Sequence, residues 1–323
     1  MRTISSLLTV LAVAASLASA ALVSGRGPRP GQIKNLVTFG DSYTDVVSTG
    51  DNAIAWPVFA AQDGNLELFP FARSGATCSN NITFRPFPSV FESQLPLYFS
   101  EVRNGSLRLN AEETVFTLWI GTNDVGVNSL LVGQGGPGAT VVNTTRCAVS
   151  WVKTLYDSGA RNFLFQNMIP LQKTILYSAD SYPNRYWTAP RNTTEWSVFM
   201  TEMTTAGNAL SRALLEMLAP KLPGAHLGLF DSHQLFEDML SNPAKFLNGT
   251  VPPNTTGAIH QCFFDINEST SDLNNCTTVT GPAADSFLWY DELHPSEQTD
   301  RNIGKAIAAA VKRTSEQYTT WFS

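Results

Sequence analysis

Four short apolar runs punctuate the chain: residues 36–39 (LVTF), 114–120 (TVFTLWI), 162–168 (NFLFQNM) and 225–230 (AHLGLF). Each stops abruptly, at Gly40, Gly121, Pro170 and Asp231. Strands with one wet face alternate apolar and polar positions, whereas strands covered on both faces read as unbroken apolar runs, the pattern of a parallel sheet. Between the runs the period changes. Residues 144–158 place Cys147, Val149, Trp151, Val152 and Leu155 at helical spacing, with Gly159 where a helix-ending glycine belongs. Residues 193–218 repeat apolar positions over a longer helix that Pro220 ends. Residues 232–240 predict a short helix capped by Asp231 or Ser232, and 297–311 a terminal helix capped by Ser296. Strands alternating with helices are βαβ units. The pattern therefore predicts an α/β fold, a three-layer α/β/α sandwich around a mostly parallel sheet with its site at the carboxyl edge of the strands.

Three stretches stand outside this alternation. The first twenty residues carry Arg2, an apolar core over 7–17 and the small residues Ala18, Ser19 and Ala20, which together predict a signal peptide cleaved before Ala21. Residues 21–34 are rich in Gly and Pro and form an irregular lead-in. Residues 241–286 hold Pro252, Pro253 and two cysteines with little periodicity, which predicts a long excursion loop. With no internal repeat and no Ser/Pro-rich linker, residues 21–323 are expected to form one catalytic domain.

Composition narrows the class. The 323 residues are 43% hydrophobic and 15% charged with a formal net charge of −6, enough apolar material for a sizeable core. No Lys/Arg cluster offers a nucleic-acid footprint, and no segment after the first twenty residues is apolar for long enough to span a bilayer. Eight Asn-x-Ser/Thr sequons, at Asn81, Asn104, Asn143, Asn192, Asn248, Asn254, Asn267 and Asn275, predict passage through a glycosylating compartment and an extracellular destination. Four cysteines without C-x-x-C spacing favour disulfides over zinc. Of the three possible connectivities, a local Cys262–Cys276 bridge closing the polar loop is preferred, which leaves Cys78 for Cys147. His226, assigned to a strand, His233, and His260, assigned to the loop, lack metal-site spacing, so no metal is expected.

The candidate chemistry lies at the strand ends. Ser42, in FGDSYTD, follows the first strand at once and is placed at or near a helix N-terminus, whose N–H groups favour developing negative charge. A serine there is also a common helix cap. Near the C-terminus, WYDELHP sets Asp291 three residues before His294. A serine hydroxyl is a poor nucleophile without a base, and an imidazole serves when a carboxylate fixes its tautomer. Glu292 competes for that carboxylate role, and the spacing favours Asp291. Gly75 offers an unhindered backbone N–H, and Asn123, in GTND, a side-chain amide, as donors for an oxyanion. Asp45 and Asp124 are read as loop-shaping. Loss of activity is expected as His294 protonates, around its unperturbed pKa of about 6.5 or lower. The absence of a G-x-S-x-G elbow disfavours the α/β-hydrolase fold.

Taken in order, the serine of GDS, the glycine at 75, the asparagine of GTND and the D-x-x-H pair resemble the four blocks of the GDSL/SGNH hydrolase superfamily over residues 36–312. FGDSYTD, Trp56-Pro57, SGATCSN at 74–80 and WYDELHPS at 289–296 resemble more closely the fungal acetyl esterases of carbohydrate esterase family sixteen. The resemblance implies the SGNH, flavodoxin-like form of the sandwich. It also implies Ser42 as nucleophile, His294 as base then acid, Asp291 as its orienter, and an oxyanion hole from the Ser42 and Gly75 N–H groups with the Asn123 amide. The implied reaction needs no cofactor: ester hydrolysis through an acyl-enzyme, with acetylated carbohydrate as substrate. A secreted lipase or lysophospholipase on the same scaffold, and a non-catalytic glycan-binding or effector protein, are the alternatives.

Overall fold

The computed structural model describes residues 26–47, 53–271 and 275–323, so the signal peptide expected over 1–20 lies outside the described residues. The apolar runs become strands β1 (Asn35–Gly40), β3 (Thr114–Trp119), β4 (Asn162–Gln166) and β5 (His226–Phe230). A short edge strand, β2 (Glu67–Pro70), joins them. The helices between are α1 (Trp56–Gly64), α2 (Leu95–Asn104), the single turn α3 (Thr122–Val125), α4 (Val141–Asp157), α5 (Thr193–Leu218), α6 (Ser232–Ser241) and α7 (Glu297–Lys312). Strands β6 (Asn254–Ala258), β7 (His260–Cys262), β8 (Cys276–Thr278), β9 (Phe287–Trp289) and β10 (Thr319–Trp321) complete the chain.

Among the described residues the main sheet has the order β10-β5-β4-β3-β1-β2, parallel throughout except for β10, which runs antiparallel to β5. Alternate residues of a strand face opposite ways, and both faces here are covered. On one face Leu36, Val115, Leu164 and Phe230 pack with Trp56 and Ala60 of α1 and Ile303 and Ile307 of α7. On the other, Val37, Phe39, Phe116, Phe163 and Leu227 meet Tyr98 of α2, Trp151 and Leu155 of α4 and Leu215 of α5. This two-sided burial is the physical source of the unbroken apolar runs, and each fully buried Leu or Phe contributes about 1.5–3 kcal/mol of transfer free energy.

The strand order reverses between β1 and β3, where chains leave the sheet in opposite directions and open a crevice. Pairing of Phe39 with Leu118 and Gly40 with Trp119 brings the two strand ends level, so the segments starting at Asp41 and Ile120 border that crevice together. Residues 241–286 contain more structure than their composition predicts. β6 pairs with β9, and β7 with β8 in a small hairpin that carries His260, closed by the Cys262–Cys276 bond. Cys78 is bonded to Cys147 on α4, so both cysteine pairs form as expected.

Candidate active site

The serine turn depends on Gly40. Its φ of +145° lies outside the reach of most side chains, and a Cβ there would run into the Trp119 carbonyl oxygen. The Gln94 amide stands in for a strand neighbour, accepting from the Gly40 N–H at 3.1 Å and donating to its carbonyl at 2.8 Å. After Gly40 the chain makes one hydrogen-bonded turn, with the N–H groups of Thr44 and Asp45 each 3.0 Å from the Asp41 carbonyl. Over the described residues 41–47 it does not continue as a helix, so the expectation that Ser42 lies at or near a helix N-terminus is corrected. Asp45 leaves the turn to accept from the Ser74 N–H at 2.8 Å, while the Asp41 carboxylate accepts from the Tyr43 N–H at 3.1 Å.

Ser42 and His294, 252 residues apart, meet at 2.8 Å between Oγ and Nε2. The His294 Nδ1 lies 3.1 and 3.2 Å from the two Asp291 oxygens. A carboxylate only accepts, so Nδ1 carries the proton in the neutral ring and Nε2 is left to accept from the serine. Asp291 Oδ1 also takes the backbone N–H groups of Leu293 and His294, both at 2.8 Å, which curls the Asp291–His294 turn under its own side chain. Its Oδ2 accepts from the Tyr186 hydroxyl at 2.6 Å and, at 3.4 Å, from Arg185. The Tyr43 hydroxyl donates to the Leu293 carbonyl at 2.9 Å, and its ring stands edge-on to the imidazole at 5.6 Å. Glu292 faces elsewhere, accepting from the Cys262 N–H at 2.7 Å.

Electrostatics follow from these partners. Burial by itself would raise the Asp291 pKa, but the His294 ring, the Tyr186 hydroxyl and Arg185 hold it well below the usual carboxylate range. Burial would lower the His294 pKa; the charge and hydrogen bond of Asp291 outweigh that and raise it. The expectation of a value at or below 6.5 is therefore corrected upward. Asp41 and Glu292 are pushed up to about 7 and Asp124 to about 6, in each case chiefly by burial.

Among the described residues, neither the Ser42 nor the Gly75 N–H has an intramolecular acceptor, and both residues line the same cavity. Gly75 has φ +78°, and a Cβ on it would stand 2.5 Å from the Phe87 ring, so any larger residue would shift this loop. Asn123, on α3 immediately after β3, lines the cavity too, its amide held between the Ala76 carbonyl and Arg85. Asp124 beside it accepts from the Cys78 N–H and the Thr83 hydroxyl, at 3.0 and 2.7 Å, tying the Gly75 loop to the end of β3. The cavity measures about 430 Å³, and Arg85, Phe87, Tyr177, Arg185, Tyr186 and Tyr290 furnish walls around the serine. Sequence reading missed Tyr43, Arg85, Arg185 and Tyr186. They sit on segments without periodicity, and only their partners in space mark them.

Seven sequon asparagines, Asn81, Asn104, Asn143, Asn192, Asn248, Asn267 and Asn275, are exposed. Asn254 is half-buried, its side chain accepting from the N–H groups of Thr256 and Gly257. His260, Cys262 and Cys276 lie within 4.8 Å of one another, but the two sulfurs are bonded together and are not free thiolates. Among the described residues no helix is long and apolar enough to cross a membrane.

A parallel α/β sheet that bears a serine, an imidazole and a carboxylate in series at its switch point defines the class of serine hydrolases. The family model described as GDSL-like lipase/acylhydrolase matches residues 36–307, and the chain belongs to that family. It is similar to an acetylesterase of Hypocrea jecorina, 27% identical over 91% of this chain and 93% of that protein. It is also similar to an acetylesterase of Thermothelomyces thermophilus, 24% identical over 86% and 88% of the two chains. Among solved structures, an acetylxylan esterase of Geobacillus stearothermophilus aligns over 88% of this chain and 95% of its own, with 13% identity and a TM-score of 0.44.

Proposed function

We propose that the chain is a secreted serine esterase, one catalytic domain over residues 21–323, that removes acetyl groups from carbohydrate through an acyl-enzyme. The observation that carries this reading is the continuous hydrogen-bonded series from Ser42 through His294 to Asp291. As the serine oxygen attacks the acyl carbon, His294 Nε2 takes its proton, and Asp291 stabilises the imidazolium that results. The carbonyl oxygen becomes an oxyanion facing the Ser42 and Gly75 N–H groups and the Asn123 amide, each such donor being worth about 3 kcal/mol of barrier. Collapse breaks the ester C–O bond, and the departing sugar oxygen takes the proton from His294 to leave as the free hydroxyl. Water then repeats the sequence on the acyl-serine and releases acetate.

Acetyl as the acyl group is supported by the two fungal acetylesterases, similar along most of the chain. Secretion is supported by the first twenty residues, the eight sequons and the two disulfides. The test compares wild type with Ser42→Ala on p-nitrophenyl acetate, longer-chain esters and acetylated oligosaccharides, with fluorophosphonate labelling alongside. Wild type is expected to favour acetyl esters and to label, and the variant to do neither. A preference for long acyl chains would replace the acetyl reading with a lipase. Labelling and turnover that survive in Ser42→Ala would end the serine assignment.

A further inference from the structure

The Asn123 side chain presents a problem of orientation. Its oxygen and nitrogen ends are nearly identical in shape, yet only the nitrogen can donate to an oxyanion; the reverse flip would aim a lone pair at developing negative charge. Two neighbours settle the flip. The Ala76 carbonyl can only accept and sits 2.9 Å from Nδ2. Arg85 Nη1 can only donate and sits 2.5 Å from Oδ1. Ala76 uses one N–H of the amide and leaves the second for the cavity that Asn123 lines.

We infer that Arg85 is a positioning residue for the oxyanion hole, orienting the Asn123 amide and strengthening its N–H as a donor. This rests on the hydrolytic reading above. A cation bonded to an amide oxygen draws electron density away from the nitrogen, so the N–H opposite becomes more positive. Among the described residues no carboxylate forms an ion pair with Arg85; Asp41 and Asp124 act on it only through space, so its charge remains directed at the amide. Its guanidinium also lies 5.3 Å from the centre of the Phe87 ring, the ring against which Gly75 packs. One side chain thus braces the supports of two oxyanion donors. The loop bearing it is anchored in turn by Asn80, which accepts from the Arg85 N–H at 3.2 Å and donates to the Phe87 carbonyl at 3.2 Å.

The test is a double-mutant cycle on p-nitrophenyl acetate with wild type, Arg85→Met, Asn123→Ala and the double variant, each first shown by its thermal melt to be folded. Asn123→Ala is expected to lower kcat by about 100- to 1000-fold, the usual cost of losing one oxyanion donor. Arg85→Met is expected to lower kcat by roughly 10- to 100-fold with KM within about threefold, and the double variant to be no slower than Asn123→Ala, because a residue acting only through another adds nothing once that other is gone. Arg85→Lys, which keeps charge and a donor but loses the planar fork, is expected to fall between wild type and Arg85→Met, and it carries the test if Arg85→Met does not fold. Wild-type kcat in Arg85→Met, a change confined to KM, or a full multiplicative loss in the double variant would overturn the inference while leaving the hydrolytic site standing. Wild-type kcat in Asn123→Ala would instead overturn the oxyanion assignment on which it rests.

Discussion

At the scale of single residues, the histidine carries a consequence that spacing could not supply. The acid at 291 and the ring at 294 are visible in the sequence as a D-x-x-H pair, but the depth of the pocket and the ring's other neighbours are not. Asp291 accepts from Tyr186, Arg185 and two backbone N–H groups, and these with the His294 ring hold its pKa well below the usual carboxylate range, so its charge faces the ring. The pKa of His294 is therefore raised. General-base catalysis needs the neutral ring, so kcat/KM should climb with pH through an acid limb centred above the unperturbed value of about 6.5. A profile from pH 5 to 9 measures it, and a limb centred below that value would contradict the pairing described here. Tyr186 and Arg85 were invisible for a related reason: a lone Tyr or Arg in an irregular segment has no period to give it away, and its meaning lies in what it touches.

Among the elements, legibility followed burial. Helix α5 runs over Thr193–Leu218, as its apolar repeat predicts, and α7 begins after Ser296, whose hydroxyl accepts from the Thr299 N–H at 3.1 Å. Helices α1 and α2 escaped because each carries a proline, Pro57 and Pro96, in its first turn. There the missing N–H is harmless and a proline starts a helix, although along a sequence it reads as a break. Strand β2 has four residues, none fully buried, and β10 three, too short for any period to show. The disulfides belong to this scale as well. Cys78–Cys147, separated by 69 residues, ties the segment after Gly75 to α4, whereas Cys262–Cys276 spans 14. Replacing Cys78 and Cys147 by Ser should cost about 4 kcal/mol and the local pair about 3, if loop entropy dominates. Denaturant midpoints of the two double variants against wild type give the comparison. The long-range variant should also lose activity, because the bond holds in place the backbone N–H of residue 78 that Asp124, beside Asn123, accepts; an unchanged midpoint and turnover would refute that coupling.

At the scale of the whole molecule, buried carboxyls set the pH range in which the fold is firmest. Asp41 and Glu292 titrate at about 7 and Asp124 at about 6 in the folded chain, against 3.8 to 4.5 when exposed. Between those values the folded chain holds protons that the unfolded chain has released, so stability falls as pH rises from about 4 to about 7. His294, with its raised pKa, acts in the same sense, its contribution complete below 6.5 and lost as pH rises through the folded value. Asp291 acts in the opposite sense, its contribution present above 3.8 and lost as pH falls below it. Thermal melts should therefore peak at about pH 4–5, and a melting temperature that climbs steadily to pH 8 would refute the balance. The chain's own pattern determined the α/β class, the parallel core strands, the long helices and the residue types able to perform serine chemistry, because burial on two faces and the needs of a nucleophile each leave local marks. Only the tertiary structure decided the strand order, the 2.8 Å meeting of Ser42 with His294, and the roles of Tyr186 and Arg85. Those depend on contacts between segments as many as 252 residues apart, and no local periodicity encodes which distant side chain will arrive beside another.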